Sequence, residues 1–149
     1  MNNQRLFQIT DHLVLTLWVG GMWMAGFVIA PLLFSELDRH TAGMVGGKMF
    51  AVISYIGLVC GSMLLVSAFY NEGKSALRQW RGRILVIMLV IVCIMEFVFA
   101  PMMADLKSQG LVEGSEIMKR FGQLHGIASA FYLINSLLGL ILVIQSTKD

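Results

Sequence analysis

Glu96 is the acidic residue set deepest in a hydrophobic run of this chain, one place before the segment Phe97-Val-Phe-Ala-Pro-Met-Met-Ala. Burying a carboxylate away from water is costly, so such a group usually carries protons, holds a ligand, or stays protonated and bonds a neighbour. All three roles stay open for Glu96, with Ser, Tyr or Asn as the structural partner. His125 shares a helical spacing with Ser129, Tyr132 and Ser136, and Asn135 lies beside that stripe. Residues so spaced share one helix face, which predicts a polar stripe turned into a bundle. His40 falls in a loop close in depth to His125. Met103 follows the second of the chain's two prolines. Imidazole and thioether together suit copper(I), so His40, His125 and Met103 are the candidate metal ligands. His125, Glu96, Tyr132 and Asn135 are the candidate cofactor-binding residues.

Each of these has a plainer reading. The 11 methionines also serve as adaptable apolar filler. His12, near the start of the first apolar run, reads as an interfacial or capping residue. A haem b held by two histidines needs them to face each other, and His12 and His125 lie near opposite membrane surfaces, which leaves a single-His haem. No phosphate-binding loop, dinucleotide fingerprint, nucleophile elbow or HExxH motif occurs.

The elements that must position these residues are long and apolar. Of the 149 residues, 57% are hydrophobic and 13% charged, with a mean hydropathy of +0.76. Soluble domains carry about 25% charged residues, and a chain this short cannot hide the excess apolar surface in one core. The apolar residues cluster at 10–34, 46–70, 83–106 and 118–145. Each run reaches the ~20 residues that cross a bilayer as a helix, and none alternates like a barrel strand. The expected fold is all-α: one polytopic membrane domain over 1–149 with four transmembrane helices. The first run is too long, and lacks the small-residue site, for a cleaved signal.

Phe27–Phe34 reads FVIAPLLF, and seventy residues later Phe97–Ala104 reads FVFAPMMA. These hold both prolines. A polar stretch follows each, closed by Phe50 and by Phe121. The chain thus reads as two hairpins in a parallel repeat, related by an axis along the membrane normal. Each Ala-Pro pair either kinks its helix, splaying a funnel, or ends it at the interface. The second helix is expected to begin outside the membrane near Arg39, and Ser115 to cap the fourth. Gly57-xxx-Gly61 and Gly122-xxx-Gly126 read as packing faces inside the bundle. Cys60 and Cys93 read as buried thiols.

Lys74, Arg78, Arg81 and Arg83 crowd one short loop, with Arg5 and Lys148 on the same side. Arg39, Lys48, Lys107, Lys119 and Arg120 fall on the other. The short basic loop places both termini in the cytoplasm. A net charge of +2 gives no basis for nucleic acid as a partner. The lipid bilayer is the expected partner, with another membrane protein or a second copy of the chain beside it.

The stretches LWVGGMWMAGFVIAPLLF, DRHTAGMVGGKMF and KRFGQLHGIASAFYLIN resemble the small four-helix membrane proteins related to transmembrane protein 205, whose bacterial members form a domain family of unknown function. More remotely, the layout is similar to the CopD-like group, which includes copper-resistance membrane proteins and a haem-associated protoporphyrinogen oxidase of the HemJ type. The resemblance implies a bacterial inner (plasma) membrane protein and, by distant analogy, metal or tetrapyrrole handling. By position in the matching elements, it implies His40, Gly43, His125 and Asn135 as residues to test. The chain departs from a dedicated copper importer in lacking a clear paired Met/His arrangement. The expected function is binding of copper or a haem-like cofactor in a periplasmic funnel lined by Glu96, His125, Tyr132 and Met103. The alternatives are an accessory or assembly subunit of a larger membrane complex, and a HemJ-like haem-dependent oxidase.

Overall fold

The computed structural model describes residues 3–146, with side chains from residue 7 onward. Lys148, used above for topology, lies outside the described residues, as does the side chain of Arg5. Four helical spans, Phe7–Glu36, Arg39–Leu77, Trp80–Ser108 and Glu116–Ser146, are long and apolar enough to cross a membrane. The protein is an all-α, multi-pass membrane protein.

The first span is α1 (Asn3–Trp23), a π-helical turn (Met24–Ile29) and α2 (Ala30–Glu36). The second is α3 (Arg39–Glu72), which ends in a 3₁₀ turn (Gly73–Leu77). The third repeats the first: α4 (Trp80–Ile94), a π-helical turn (Met95–Phe99) and α5 (Ala100–Ser108). The fourth is the single helix α6 (Glu116–Ser146). The two hairpins match in detail, since each Ala-Pro pair sits just after a π turn.

Those turns show how a proline is carried inside a span. Pro31 and Pro101 lack the amide that would bond four residues back, and their rings clash with that carbonyl. The π turn inserts one residue and lengthens the hydrogen-bond offset to five. The Ala30 amide accordingly donates to the Ala25 carbonyl, and the Ala100 amide to that of Met95. Neither proline ends its helix. Each span runs on, to Glu36 and to Ser108.

Few side chains are fully enclosed. Trp18, Met22, Met88, Leu142 and Ser136 are the largest, and they come from α1, α4 and α6. Large apolar residues such as Leu13, Leu17, Val66 and Phe97 point outward. Helices apolar on all sides are what a lipid solvent selects. At the end that holds the termini, the Ser67 hydroxyl donates to Asp11 Oδ2 at 2.8 Å. The His12 ring bridges the Gln8 and Ser146 carbonyls, each at 2.7 Å. These contacts tie α1, α3 and α6 together, which gives His12 a structural task.

At the far end, α3 begins at Arg39 as expected. Asp38 is its cap: one carboxylate oxygen accepts from the His40 and Thr41 amides, both at 3.0 Å. Ser115 caps α6 through the Met118 amide at 3.1 Å. The Thr41 hydroxyl, followed by the Thr41 amide, holds the Asp38 carboxyl below its ordinary value of 3.8. A lowered folded-state value means the cap's contribution is whole above that pH and fades as pH falls through the folded value. Protection of the His40 and Thr41 amides from hydrogen exchange should therefore be flat from neutral pH to about 4, once corrected for intrinsic rates, and drop below it. Asp38→Asn should keep the protection and lose the pH dependence. An unchanged profile in Asp38→Ala would refute the cap.

Candidate binding site between the spans

The site is built around Trp18, which is 1% exposed. Its indole lies against α3 where two glycines, one turn apart, leave room. A Cβ at Gly57 would fall 2.6 Å from Trp18 Nε1. One at Gly61 would fall 3.0 Å from the far edge of the indole and 2.6 Å from Leu89 Cδ2. Gly57-xxx-Gly61 is thus a slot for a tryptophan within one chain, as the small-residue spacing suggested.

One turn along, the first π turn meets Tyr132 of α6. Gly26 makes the approach feasible, because a Cβ there would sit 2.6 Å from the Tyr132 ring. Widening the backbone offset leaves a carbonyl of the adjoining turn without its usual amide. The Met22 carbonyl, in that turn, accepts the Tyr132 hydroxyl at 2.6 Å. Phe50 of α3 packs edge-on against Tyr132, with ring centroids 5.1 Å apart. Asn135 lies one turn further along α6, 3% exposed. Its Nδ2 donates to Met22 Sδ at 3.5 Å. Trp23 Nε1 donates to the Ser136 carbonyl at 3.3 Å and closes the α1–α6 seam.

Between these groups is a cavity of about 60 Å³, lined from all four spans. Trp18, Ser54, Met95, Tyr132 and Asn135 matter most to its chemistry; Met22, Phe50 and aliphatic side chains complete it. Among the described residues two buried side-chain polar atoms have no hydrogen-bond partner, Trp18 Nε1 and Asn135 Oδ1. Both residues line this cavity. An unmade hydrogen bond in the interior costs about 1–3 kcal/mol per group.

The structure brings only part of the expected site together. Tyr132 and Asn135 line the cavity. Glu96, His125, His40 and Met103 do not. Glu96 is half-buried on the second π turn, and its neighbour Met95 is the residue that reaches the cavity. The expected bond from Glu96 to a Ser, Tyr or Asn is not formed. The polar stripe is corrected as well: His125 and Ser129 are exposed, and only Tyr132, Asn135 and Ser136 turn inward. The buried face of α6 runs through Ala128, Asn135, Gly139 and Leu142 at regular helical spacing, and His125 and Ser129 fall beside it. His125 stacks on Phe121, with centroids 6.0 Å apart, and its carbonyl accepts the Ser129 hydroxyl. His40 is exposed at the start of α3. Gly122 and Gly126 meet no side chain and form no packing face within the bundle. Cys60 is buried as expected, but Cys93 is exposed, on the outward side of α4.

At the far end Lys107 of α5 donates to the Gly43 carbonyl at 3.2 Å, and its ammonium lies 5.6 Å from the Phe121 ring centroid. Among the described residues no group of three or more His, Cys, Asp or Glu side chains could hold a metal ion.

Sequence reasoning missed Trp18, Ser54 and Met95. Trp18 had a findable signal: a large flat side chain needs a small-residue slot, and Gly57-xxx-Gly61 is one. Ser54 and Met95 had none, because a single serine or methionine in an apolar run says nothing about the direction it faces.

No curated protein and no solved structure matches this sequence. One family pattern does, over residues 13–111, which is two thirds of the chain. The match takes in Trp18, the glycine slot, both Ala-Pro pairs and Met95, and stops before α6. The chain belongs to the family described as a domain of unknown function, DUF4149.

Proposed function

We propose that this is a membrane-embedded binding protein whose site is the interspan cavity. The observation that carries the reading is a cavity lined from all four spans, two of whose lining residues, Trp18 and Asn135, each hold a buried polar atom without a hydrogen-bond partner. A bundle shaped for stability alone would fill that space with aliphatic groups. Placement in a bacterial inner membrane with cytoplasmic termini is part of the proposal, supported by Lys74, Arg78, Arg81 and Arg83 between the second and third spans. Kinship with the transmembrane protein 205 group is likewise proposed, on the Ala-Pro and glycine elements quoted above.

Haem b does not fit the cavity. About 60 Å³ holds roughly four water-sized groups, far less than a porphyrin, and no histidine lines it. Copper(I) finds two thioethers there, Met22 and Met95. The imidazoles of His40 and His125 are elsewhere, and no carboxylate or thiolate lines the cavity. The lining favours a neutral guest over either cofactor.

The test rests on the trade between binding and stability. Replacing Asn135 by leucine removes an unsatisfied acceptor while keeping the volume. Asn135→Leu should melt at the same temperature as the native protein or higher, in mild detergent and without added ligand. A clear fall in melting temperature would make Asn135 a structural residue and sink the reading. Elemental and optical analysis of the gently purified protein should find neither one copper per chain nor a Soret band.

A second reading, an accessory subunit of a larger membrane complex, is favoured by the open Gly122 and Gly126 face on α6. Co-purification in mild detergent addresses it. A monodisperse monomer without a partner would count against it.

A further inference from the structure

We infer that the turn between the second and third spans binds the phosphate headgroup of an anionic phospholipid. Charge is the first ground. The loops at the far end hold acidic and basic residues in equal number, five of each. Between Asn71 and Arg83 stand Lys74, Arg78, Arg81 and Arg83 against Glu72 alone. The net positive charge of the chain is thus gathered on one short turn. Placement is the second ground. Tyr70 closes the second apolar run and Arg83 heads the third, so the turn lies at the level of the lipid headgroups. Tyr70, Leu77 and Trp80 are exposed around it, and Tyr and Trp at that depth mark a lipid interface. The cations are also available. Among the described residues, Lys74, Arg78 and Arg83 are exposed and their side chains have no carboxylate partner; Arg81 is half-buried. The turn that carries them is firmly seated. Ala76 is fully buried, its carbonyl against Gly82, and the Ser75 carbonyl accepts from the Arg78 amide at 2.9 Å and the Gln79 amide at 3.2 Å. A seated turn spares a ligand much of the cost of ordering it. Guanidinium groups fork onto phosphate oxygens, and a lipid phosphate at this depth supplies the missing counter-charge. A zwitterionic headgroup brings its own ammonium and gains less. Exposed Leu77 and Trp80 offer apolar surface to acyl chains, which a free phosphate does not have.

The experiment uses the full-length protein in a mild nonionic detergent, with dioleoylphosphatidylglycerol or dioleoylphosphatidylcholine added. Native mass spectrometry counts the lipid retained. Thermal melting gives a second readout, because a lipid that binds only the folded state raises the melting temperature. Phosphatidylglycerol should be held at least about tenfold more tightly than phosphatidylcholine. One cation near an anionic surface is worth about fivefold, so Arg78→Gln combined with Arg83→Gln should weaken phosphatidylglycerol at least about tenfold. Lys119→Gln combined with Arg120→Gln removes the same charge at the far end and should change the affinity less than about twofold. If the first pair does not fold, Arg78→Lys with Arg83→Lys keeps both charges. Loss of the forked contact should still weaken binding severalfold. The inference is overturned if the two lipids bind alike, if the far-end pair costs as much as the turn pair, or if no change in the turn alters binding. It is overturned equally if inorganic phosphate, at the same concentration, raises the melting temperature as far as phosphatidylglycerol does, which would make the ligand a free anion.

Discussion

Trp18→Ala should cost about 3–5 kcal/mol of stability, enough to abolish the folded bundle in all but the mildest detergent. Trp18 is the largest fully buried side chain, and it touches α3 through a slot that only glycines leave open. Inside a bilayer, lipid tails are as apolar as the protein core, so little hydrophobic transfer energy separates helices. What remains is close packing, in which each atom pair adds only ~0.1–0.2 kcal/mol but an indole makes dozens of such contacts. Removing the indole empties the Gly57 end of the slot, while Leu89 stays packed at its Gly61 end. Trp18→Phe keeps most of the contacts and should cost far less. Unfolding in mixed micelles of rising sodium dodecyl sulfate fraction would measure both. Equal losses for the two variants would show that the N–H, and not the packing, does the holding.

Gly82→Ala should be nearly as damaging, for one added methyl group. Gly82 is buried in the first turn of α4, pressed against the carbonyl of Ala76, itself fully buried in the 3₁₀ turn. A Cβ on Gly82 would overlap that backbone oxygen. A flexible side chain could swing aside, but a backbone carbonyl can move only with its turn. Overpacking of this kind costs typically 1–3 kcal/mol, and a backbone obstacle belongs at the upper end. Gly57→Ala is the informative comparison, since the atom it meets belongs to a side chain. Melting temperatures should fall further for Gly82→Ala than for Gly57→Ala. The reverse order would mean that the Gly73–Leu77 turn yields freely.

The four spans were legible because length and hydropathy report directly on a bilayer crossing. The starts of α3 and α6 were legible too, because polar loop chemistry stands out from apolar helices. The faces were not. In water, a buried helix face is apolar and the other is polar, so periodicity separates them. In lipid both faces are apolar, and the signal that would have turned Cys93 outward or Met95 inward is absent. His125 illustrates the same limit: its stripe through Ser129 to Tyr132 is real in sequence, yet the bundle uses only the Tyr132 end. The Ala-Pro pairs failed differently. A proline fits a kink and an ending alike, and the π turn that reconciles it with a continuous span leaves no mark on composition. Glu96 shares its π turn with Met95, and Met95 is the one that lines the cavity.

Helix α3 has 34 residues, which at 1.5 Å per residue makes a rod of about 51 Å. The hydrocarbon layer is about 30 Å thick. Untilted, the rod leaves about four turns outside that layer, shared between its two ends, and a tilt of about 20° leaves about three and a half. The turns at the Arg39 end make a rigid turret on a protein that has no separate soluble domain among its described residues. The Asp38 carboxylate that caps the helix then operates in water, where remaining charged costs nothing. The Lys107 strut to the Gly43 carbonyl braces the turret from the side.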